Sequence, residues 1–260
     1  MIVPNLNTCS ASRPLFRVIP IIAIISLLAA AVFAPNTEAR RGGWEGIPPV
    51  ELGTAGNYKL LAGAAITAPG STIYGKIGAE AAITIPGTVV TWGIEAGAAL
   101  TPANKVNSYS NDVSTALMDA QIAYEQARAV TSTTAVNITT DLAGRVLGPG
   151  LYHAPGALSL GGSTEHLTLD GRHDPASVWI FRSTAAMVVA ASRRVILRNS
   201  ANLNRVFWVV DGAVTVGANA VIRGHVISKA AITTGANSEV HGSLQSLDAA
   251  ITVGAGSVIQ

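Results

Sequence analysis

The stretch "AVTVGANAVIRG" (Ala213–Gly224) returns 18 residues later as "AITTGANSEVHG" (Ala231–Gly242). A third copy, "AITVGAGSVI", occupies residues 250–259. The aligned copies share a central threonine, which is Thr215, Thr233 or Thr252. Because this threonine stands between two apolar residues, each copy predicts a short strand whose threonine points away from its Val and Ile neighbours.

Glycine corners follow these strands, since each copy continues with Gly-Ala, where a small residue lets the chain bend. A period of 18 or 19 residues with short strands and such corners is typical of a β-solenoid. Two related phrases near the start, "AITAPGSTIYG" (65–75) and "AITIPGTVV" (82–90), put Thr67 and Thr84 in the same position. One coil cannot bury its apolar side alone, so we predict that the copies stack around a shared core.

Between these blocks the apolar pattern changes to steps of three and four residues, which predicts one amphipathic helix over about 102–129. Thr101-Pro102 is typical of an N-cap followed by a first-turn proline. The apolar stripe of this helix must lie along another apolar surface, and we expect it on a side of the solenoid. The stripe consists of Val106, Tyr109, Val113, Leu117, Ala120, Tyr124 and Ala127.

The N-terminus is typical of a signal peptide, because Arg13 and Arg17 precede an apolar run, Val18–Ala34. Small residues offer a cleavage point after Ala39. The alternative is an uncleaved membrane anchor, but the run reaches only the short end of a spanning helix. We therefore expect a signal peptide (1–39), a lead-in (40–51) and one domain (52–260) in a secreted, cell-surface or periplasmic protein. The only cysteine, Cys9, lies in the leader, so the mature chain lacks thiol chemistry.

Composition excludes several functions. The chain has 260 residues, 49% hydrophobic and 12% charged, with a net charge of +2, so no general attraction for nucleic acid is expected. The five histidines form no metal-binding spacing, and His173-Asp174-Pro175 is typical of a turn. Trp179 and Trp208 lie in apolar strand patterns and are predicted core residues. We expect no enzymatic activity, metal or cofactor, and a monomer.

The sequence resembles the ice-binding proteins that carry the DUF3494 domain. The matching phrases include "LGTAGNYKLLAGAAIT" (52–67), "LGPGLYH" (147–153), "LTLDGRHDPASVWIF" (167–181) and "VFWVV" (206–210), in the family's order. The resemblance implies a mostly β fold: a discontinuous right-handed β-helix (solenoid) with one long α-helix packed alongside. It also implies that the protein binds an ice crystal surface through one flat β-face and inhibits ice growth or recrystallisation.

Some members of this family carry Thr-Ala/Gly-X-Thr/Asn at the corner of the ice-binding face, and "TGAN" (Thr234–Asn237) matches that motif. The equivalent "VGAN" keeps only its asparagine, and "VGAG" keeps neither polar end. The sequence leaves open whether this corner and the threonine column share one face. The candidate ice-binding residues are Thr234, Asn237, Asn219, Thr215, Thr233, Thr252, Thr67 and Thr72.

A second hypothesis is an exported structural or adhesive solenoid of the same fold that binds a cell-surface polymer or another protein. The broken "TGAN" series motivates it, as does "SRRVILRNSANLNR" (192–205). That segment puts Arg193, Arg194, Arg198 and Arg205 on coils next to the repeat. Charged, mobile side chains on the ice-binding face would weaken ice activity, and we expect these arginines on another face.

Overall fold

Short strands dominate the described chain, which comprises residues 47–101, 112–132 and 135–260 of a computed structural model. These residues belong to one compact unit, Glu45–Gln260. The predicted signal peptide, most of the lead-in and the predicted helix start at 102–111 lie outside the described residues, as do Val106 and Tyr109 of the predicted stripe.

Within the described ranges, strands flank one α-helix, α1 (Asp112–Ala129), and two 3-10 turns lie at Gly53–Asn57 and Leu203–Arg205. The strands before the helix are β1 (Tyr58–Ala62), β2 (Ile66–Thr67), β3 (Thr72–Ile73), β4 (Lys76–Ala79), β5 (Ile83–Thr84), β6 (Val89–Val90), β7 (Gly93–Ala96) and β8 (Leu100–Thr101). The strands after it are β9 (Val136–Asn137), β10 (Val146–Leu147), β11 (Gly150–Ala154), β12 (Leu158–Leu160), β13 (Leu167–Asp170), β14 (Trp179–Ser183), β15 (Met187–Val189), β16 (Val195–Arg198), β17 (Val206–Val210), β18 (Val214–Val216), β19 (Val221–Ser228), β20 (Ile232–Thr234), β21 (Glu239–Ser246), β22 (Ile251–Thr252) and β23 (Val258–Ile259).

The strands form a coil with three sides, and every pair described between them is parallel. One side, here named the threonine face, is an eight-stranded sheet in the order β12-β15-β18-β20-β22-β2-β5-β8. The helix face consists of β9, β11, β14, β17, the second halves of β19 and β21, and β1, β4 and β7. The arginine face consists of β10, β13, β16, the first halves of β19 and β21, and β23, β3 and β6.

The long strands β19 and β21 each turn the corner between the arginine face and the helix face. They do so at Gly224 and Gly242, whose φ angles of 108° and 142° lie in the region that favours glycine. A Cβ atom on Gly242 would also overlap the backbone of Gly224 in the neighbouring coil. Only glycine therefore allows these two coils to bend and to stack closely at the same place.

The order of coils along the solenoid differs from their order along the chain. The coil that contains β1, β2 and β3 stacks on the coil that contains β21, β22 and β23, so the N-terminal coils extend the C-terminal end. Helix α1 then links β8, at one end of the sheets, to β9, at the other end. This arrangement is the discontinuous β-helix implied by the family resemblance.

Two apolar cores hold the solenoid and its helix together. Inside the coils, Phe181 stacks between Tyr152 and Trp208, with ring centroids 5.0 Å and 4.2 Å apart, and Trp179 is also buried, so both tryptophans are core residues as predicted. The second core lies between α1 and outward residues of the helix face. The described members of the predicted stripe, Val113, Leu117, Ala120, Tyr124 and Ala127, are all buried there, which confirms the packing of the helix.

Candidate functional site

Six threonines form one continuous row across the threonine face. The parallel register aligns each with the next, in the order Thr215, Thr233, Thr252, Thr67, Thr84 and Thr101. Strand alternation turns these side chains outward because their Val, Ile and Leu neighbours fill the core. At the usual strand spacing the row is about 24 Å long. Val188 and Ser159 continue the same row on the two coils beyond Thr215.

A second outward row of small side chains runs beside the threonines. An alanine stands two residues before each row position, and backbone hydrogen bonds such as Ile232 N–H to Ala250 O (3.1 Å) and Ile251 N–H to Ala65 O (2.9 Å) keep these alanines aligned. None of the eight strands of the threonine face contains a charged residue. The face therefore presents methyl and hydroxyl groups on a flat, rigid sheet. The alanines are Ala157, Ala186, Ala213, Ala231, Ala250, Ala65, Ala82 and Ala99.

The glycines that follow the strands have a different role from the one predicted. Gly217, Gly235 and Gly254 lack the left-handed φ angles that would mark a bend. They are instead stacked tightly: a Cβ on Gly235 would lie 2.5 Å from the backbone nitrogen of Ala218 in the neighbouring coil. The bend itself falls two residues later. The glycine columns thus keep the coils close, and the residues after them turn the chain.

Asn219 and Asn237 occupy the bend after the threonine face. Their φ angles are 57° and 55°, and Gly256 takes the same position in the next coil with a φ of 72°. Asparagine tolerates this left-handed conformation better than other non-glycine residues, so the backbone alone accounts for its recurrence. Both side chains are exposed at the border of the threonine face.

Thr234 does not lie on the surface where the sequence analysis placed it. Its side chain is only 3% exposed, because the strand alternation that turns Thr233 outward turns the next residue inward. Its hydroxyl oxygen accepts a hydrogen bond from the Gly254 N–H at 3.2 Å. Thr234 therefore takes the inward column that Val216 and Val253 occupy in the neighbouring coils.

Thr72 is also displaced from the predicted group. It belongs to β3 and is aligned with Val258 and Val89, on the arginine face. The structure thus brings together Thr215, Thr233, Thr252 and Thr67, and separates Thr72 from them because the chain turns a corner after Gly70.

Two members of the row were not among the predicted site residues. Thr84 was aligned with the repeat but not included. Thr101 was interpreted as a helix N-cap; it ends β8, and the helix start that it would cap lies outside the described residues. The sequence carried a signal for Thr101, since "ALT" (99–101) repeats the Ala-apolar-Thr pattern of "AIT" (65–67).

The arginines of residues 192–205, which would weaken ice binding on the threonine face, lie away from that face, as expected. Arg194 and Arg198 belong to the arginine face, and Arg205 ends the 3-10 turn that leads to the helix face. Arg193 sits past the corner after β15, where its guanidinium donates a hydrogen bond to Thr164 O at 3.1 Å.

The described ranges, 47–101, 112–132 and 135–260, contain all five histidines of the chain. Within these ranges, no group of three His, Cys, Asp or Glu residues is placed to hold a metal ion. His225 is buried on the helix face with Nδ1 2.8 Å from Ser243 Oγ; burial lowers its pKa to about 4, and the charge of Lys59 adds to the shift. Asp174 accepts a hydrogen bond from Ala176 N–H at 2.8 Å, so His173-Asp174-Pro175 forms the predicted turn. In the described part of the chain, no helix combines the length and apolarity needed to cross a membrane.

The fold and the site together define a β-solenoid whose candidate binding surface is a flat sheet face and not a cleft. A family model described as "Ice-binding-like" matches residues 60–259, and the chain belongs to that family.

The chain is similar in sequence and structure to several proteins that are named as ice-binding proteins. Ice-binding protein K1-A of Typhula ishikariensis is 30% identical over 223 residues, which cover 81% of this chain and 86% of the relative. An ice-binding protein of Flavobacterium frigoris is 29% identical over 229 residues, covering 86% of this chain and 80% of the relative. The crystal structure of an ice-binding protein from the Antarctic ascomycete Antarctomyces psychrotrophicus superposes with a TM-score of 0.70 at 26% identity, covering 82% of this chain and 98% of that one.

Proposed function

We propose that this protein binds ice through the threonine face and thereby inhibits ice growth or recrystallisation. The observation that carries the proposal is the row of six threonines in register on an uncharged sheet. The relatives and solved structures named as ice-binding proteins support it, because they share the fold over most of their length.

The chemistry of threonine suits such a surface. Its χ1 angle is stiff, so little side-chain freedom is lost when the face docks on a solid. The methyl group orders water beside it, and the hydroxyl group donates and accepts hydrogen bonds. Strands repeat every 4.7–4.9 Å, a spacing similar to distances between water molecules along an ice plane. The whole array can therefore bind a crystal surface without a metal, a cofactor or a catalytic step.

The proposed ice-contacting residues revise the predicted set. The proposed set keeps four of the predicted threonines and adds Thr84 and Thr101. The alanine row supplies the apolar part of the surface. Asn219 and Asn237 are proposed to border the face, whereas the buried Thr234 and the displaced Thr72 have no direct part. We further propose that the protein is exported and acts as a monomer, with the predicted signal peptide and the ice-binding relatives in support.

Ice recrystallisation inhibition tests the proposal. The purified protein should stop the coarsening of ice grains, and the variant Thr67→Tyr/Thr252→Tyr should not at the same concentration, because two bulky rings at the centre of the row hold the face away from ice. Circular dichroism should show that both are folded.

Thr72→Tyr is the matched control, since it places the same side chain on the arginine face, and it should retain full activity. If Thr72→Tyr abolishes activity and the double variant does not, the ice-binding surface is the arginine face. If the folded parent protein leaves ice to coarsen, the structural or adhesive solenoid is the better hypothesis.

A further inference from the structure

The arginine face concentrates positive charge that the net charge of the chain conceals. Residues 192–224 contain five arginines, of which Arg194, Arg198 and Arg223 lie on this face, and one acidic residue, Asp211; the acidic residues of the face itself are Asp170 and Glu239. The carboxylate of Asp211 is engaged elsewhere, because it pairs with Arg128 of helix α1 at 2.5 Å. The coils that carry this segment are therefore locally basic on the side away from the helix.

Three of these guanidinium groups lie on neighbouring strands. Arg194, just before β16, is aligned with Val221 of β19, two residues before Arg223. The guanidinium of Arg223 lies across β16, where it donates a hydrogen bond to Val195 O. Burial lowers the pKa of Arg223, Glu239 opposes that shift, and the charge of Arg194 lowers the pKa further. Arg198 lies four residues beyond Arg194, about 13 Å along the strand.

The acidic groups of this face, Asp170 and Glu239, form no direct ion pair with Arg194 or Arg198 in the described ranges. Among the described residues, the side chains of Arg194 and Arg198 make no ion pair or hydrogen bond. Asp170 is aligned with Arg198, but its carboxylate accepts hydrogen bonds from Arg172 N–H (2.8 Å) and Asn199 Nδ2 (2.9 Å). Glu239 lies 3.3 Å from His241 Nε2. The two exposed guanidinium groups are thus solvated and open to an external anion.

We propose that the arginine face is a second binding surface, for a linear polysaccharide that carries carboxylates. The planar guanidinium fork matches a carboxylate with two parallel hydrogen bonds, and rigid strands hold the forks at fixed intervals. The other end of the same face exposes Tyr74 (52%), and Trp92 (83%) is exposed at the adjacent corner, where its backbone N–H is aligned with Gly75 O. Both rings offer apolar faces with polar edges to sugar units. An extended polymer can contact both ends.

A polymer fits this face better than a lipid surface does. Four strand spacings separate β16 from β3, so the arginines and Tyr74 are about 20 Å apart. Binding at a membrane interface requires a broad apolar surface that enters the lipid beside the basic residues. Among the described residues, the large exposed hydrophobic side chains of this face are divided between its two ends, with Val146 (66%) in β10 at one end and Tyr74 and Val89 at the other. Because the threonine face and the arginine face are different sides of one rigid coil, the protein can hold the polymer while its threonine face stays free.

Binding of the full protein to immobilised alginate, a linear polyuronate, tests the proposal, with neutral dextran as the reference polymer. Alginate should bind and dextran should not. Arg194→Gln/Arg198→Gln should raise the dissociation constant at least about tenfold. The control Lys229→Gln removes a positive charge beside helix α1, away from the arginine face, and should change the dissociation constant less than about twofold.

The conservative variant Arg194→Lys/Arg198→Lys should bind with intermediate affinity, because it keeps the charge and loses the fork. Ice recrystallisation inhibition should be the same in all these variants, so failure here and failure of the ice-binding proposal are distinguishable. The proposal would be overturned if the control away from the arginine face weakened alginate binding as much as Arg194→Gln/Arg198→Gln does. So would an absence of alginate binding, or tighter binding to vesicles of phosphatidylglycerol and phosphatidylcholine or to duplex DNA.

Discussion

The threonine face and the arginine face are built from the same coils, yet they present opposite surfaces. The first carries one repeated small polar residue and no charge, whereas the second mixes Arg223, Glu239 and His241 with exposed Val89 and Tyr74. Behind both faces the inward columns are the same kind of apolar residue, such as Ile232 behind the threonine face and Ile222 behind the arginine face. The comparison teaches that the interior fixes the coil while the outward positions are free to acquire different functions.

The largest expected effect on stability comes from a residue in the core of the coil. Ile232→Ala should lower the free energy of unfolding by about 2–5 kcal/mol, because it leaves a cavity between stacked coils. Thr233→Ala, at the adjacent outward position, should change it by only about 0.5 kcal/mol. Denaturant unfolding of both variants measures the difference, and similar losses would mean that the outward row contributes to the stability of the coil.

The helix face should differ from the two open faces in its dependence on pH. His225 has a pKa of about 4 in the folded protein, below the value of about 6.5 expected when unfolded. Between these values only the unfolded chain binds the proton, so stability should fall by up to about 3 kcal/mol as the pH drops from 6.5 to 4. Burial raises the pKa of Asp141, but its hydrogen bonds outweigh burial and lower the pKa overall. The contribution of Asp141 to stability is therefore lost only at lower pH.

The variant His225→Gln isolates this effect, since it keeps a polar group beside Ser243 but does not titrate. Its thermal unfolding temperature should change little between pH 6.5 and pH 4.5, while that of the parent protein falls. Parallel curves for the two proteins would show that another group controls the acid response.

The corner beside the threonine face should be sensitive to a single methyl group. Gly235→Ala places a Cβ 2.5 Å from Ala218 N, and shifting the backbone should cost about 1–3 kcal/mol. Ala236→Ser is a control at the exposed neighbouring position and should be close to neutral. Because the shift separates adjacent coils at the end of the row, ice activity of the folded Gly235→Ala variant should also decrease, as measured by recrystallisation inhibition.

The smallest expected effect on stability belongs to Val188, which interrupts the polar row. Val188→Thr should change the free energy of unfolding by about 0.5 kcal/mol or less, because the side chain is 42% exposed and the two residues have the same shape. It extends the row beyond Thr215, so less protein should be needed to inhibit recrystallisation. Unchanged activity would place the ice contact nearer Thr101.

The sequence was sufficient to predict the coil, the outward threonines and the packed helix, because each depends on a local period. Alternation around Thr233 fixes which residues face the core, and steps of three and four from Val113 to Ala127 define the helix stripe. The same alternation predicts that Thr234 points inward, with Val216 and Val253 in its column as a further sign. The prediction for Thr234 was wrong because a motif at the corner was given more weight than the strand pattern.

Other features required the structure because no local pattern encodes them. Which copies stack on which is a long-range property: nothing in "AITAPG" shows that Thr67 lies between Thr252 and Thr84. The separation of Thr72 from the row depends on a corner two residues earlier. The charge of the arginine face was also hidden, since Arg194 and Arg223 are distant in sequence and only the bridge to Val221 makes them neighbours.

The junction between Thr252 and Thr67 has a consequence for biosynthesis. The middle of the row forms only when the first coils meet the coil that contains β22, which is synthesised much later, so a growing chain holds the two parts of the row without joining them. Contacts between such distant segments slow folding, and they leave the edges of β2 and β22 open in the meantime. A chain that stops before β22 therefore presents two separate patches, and the full array is confined to chains that include β22.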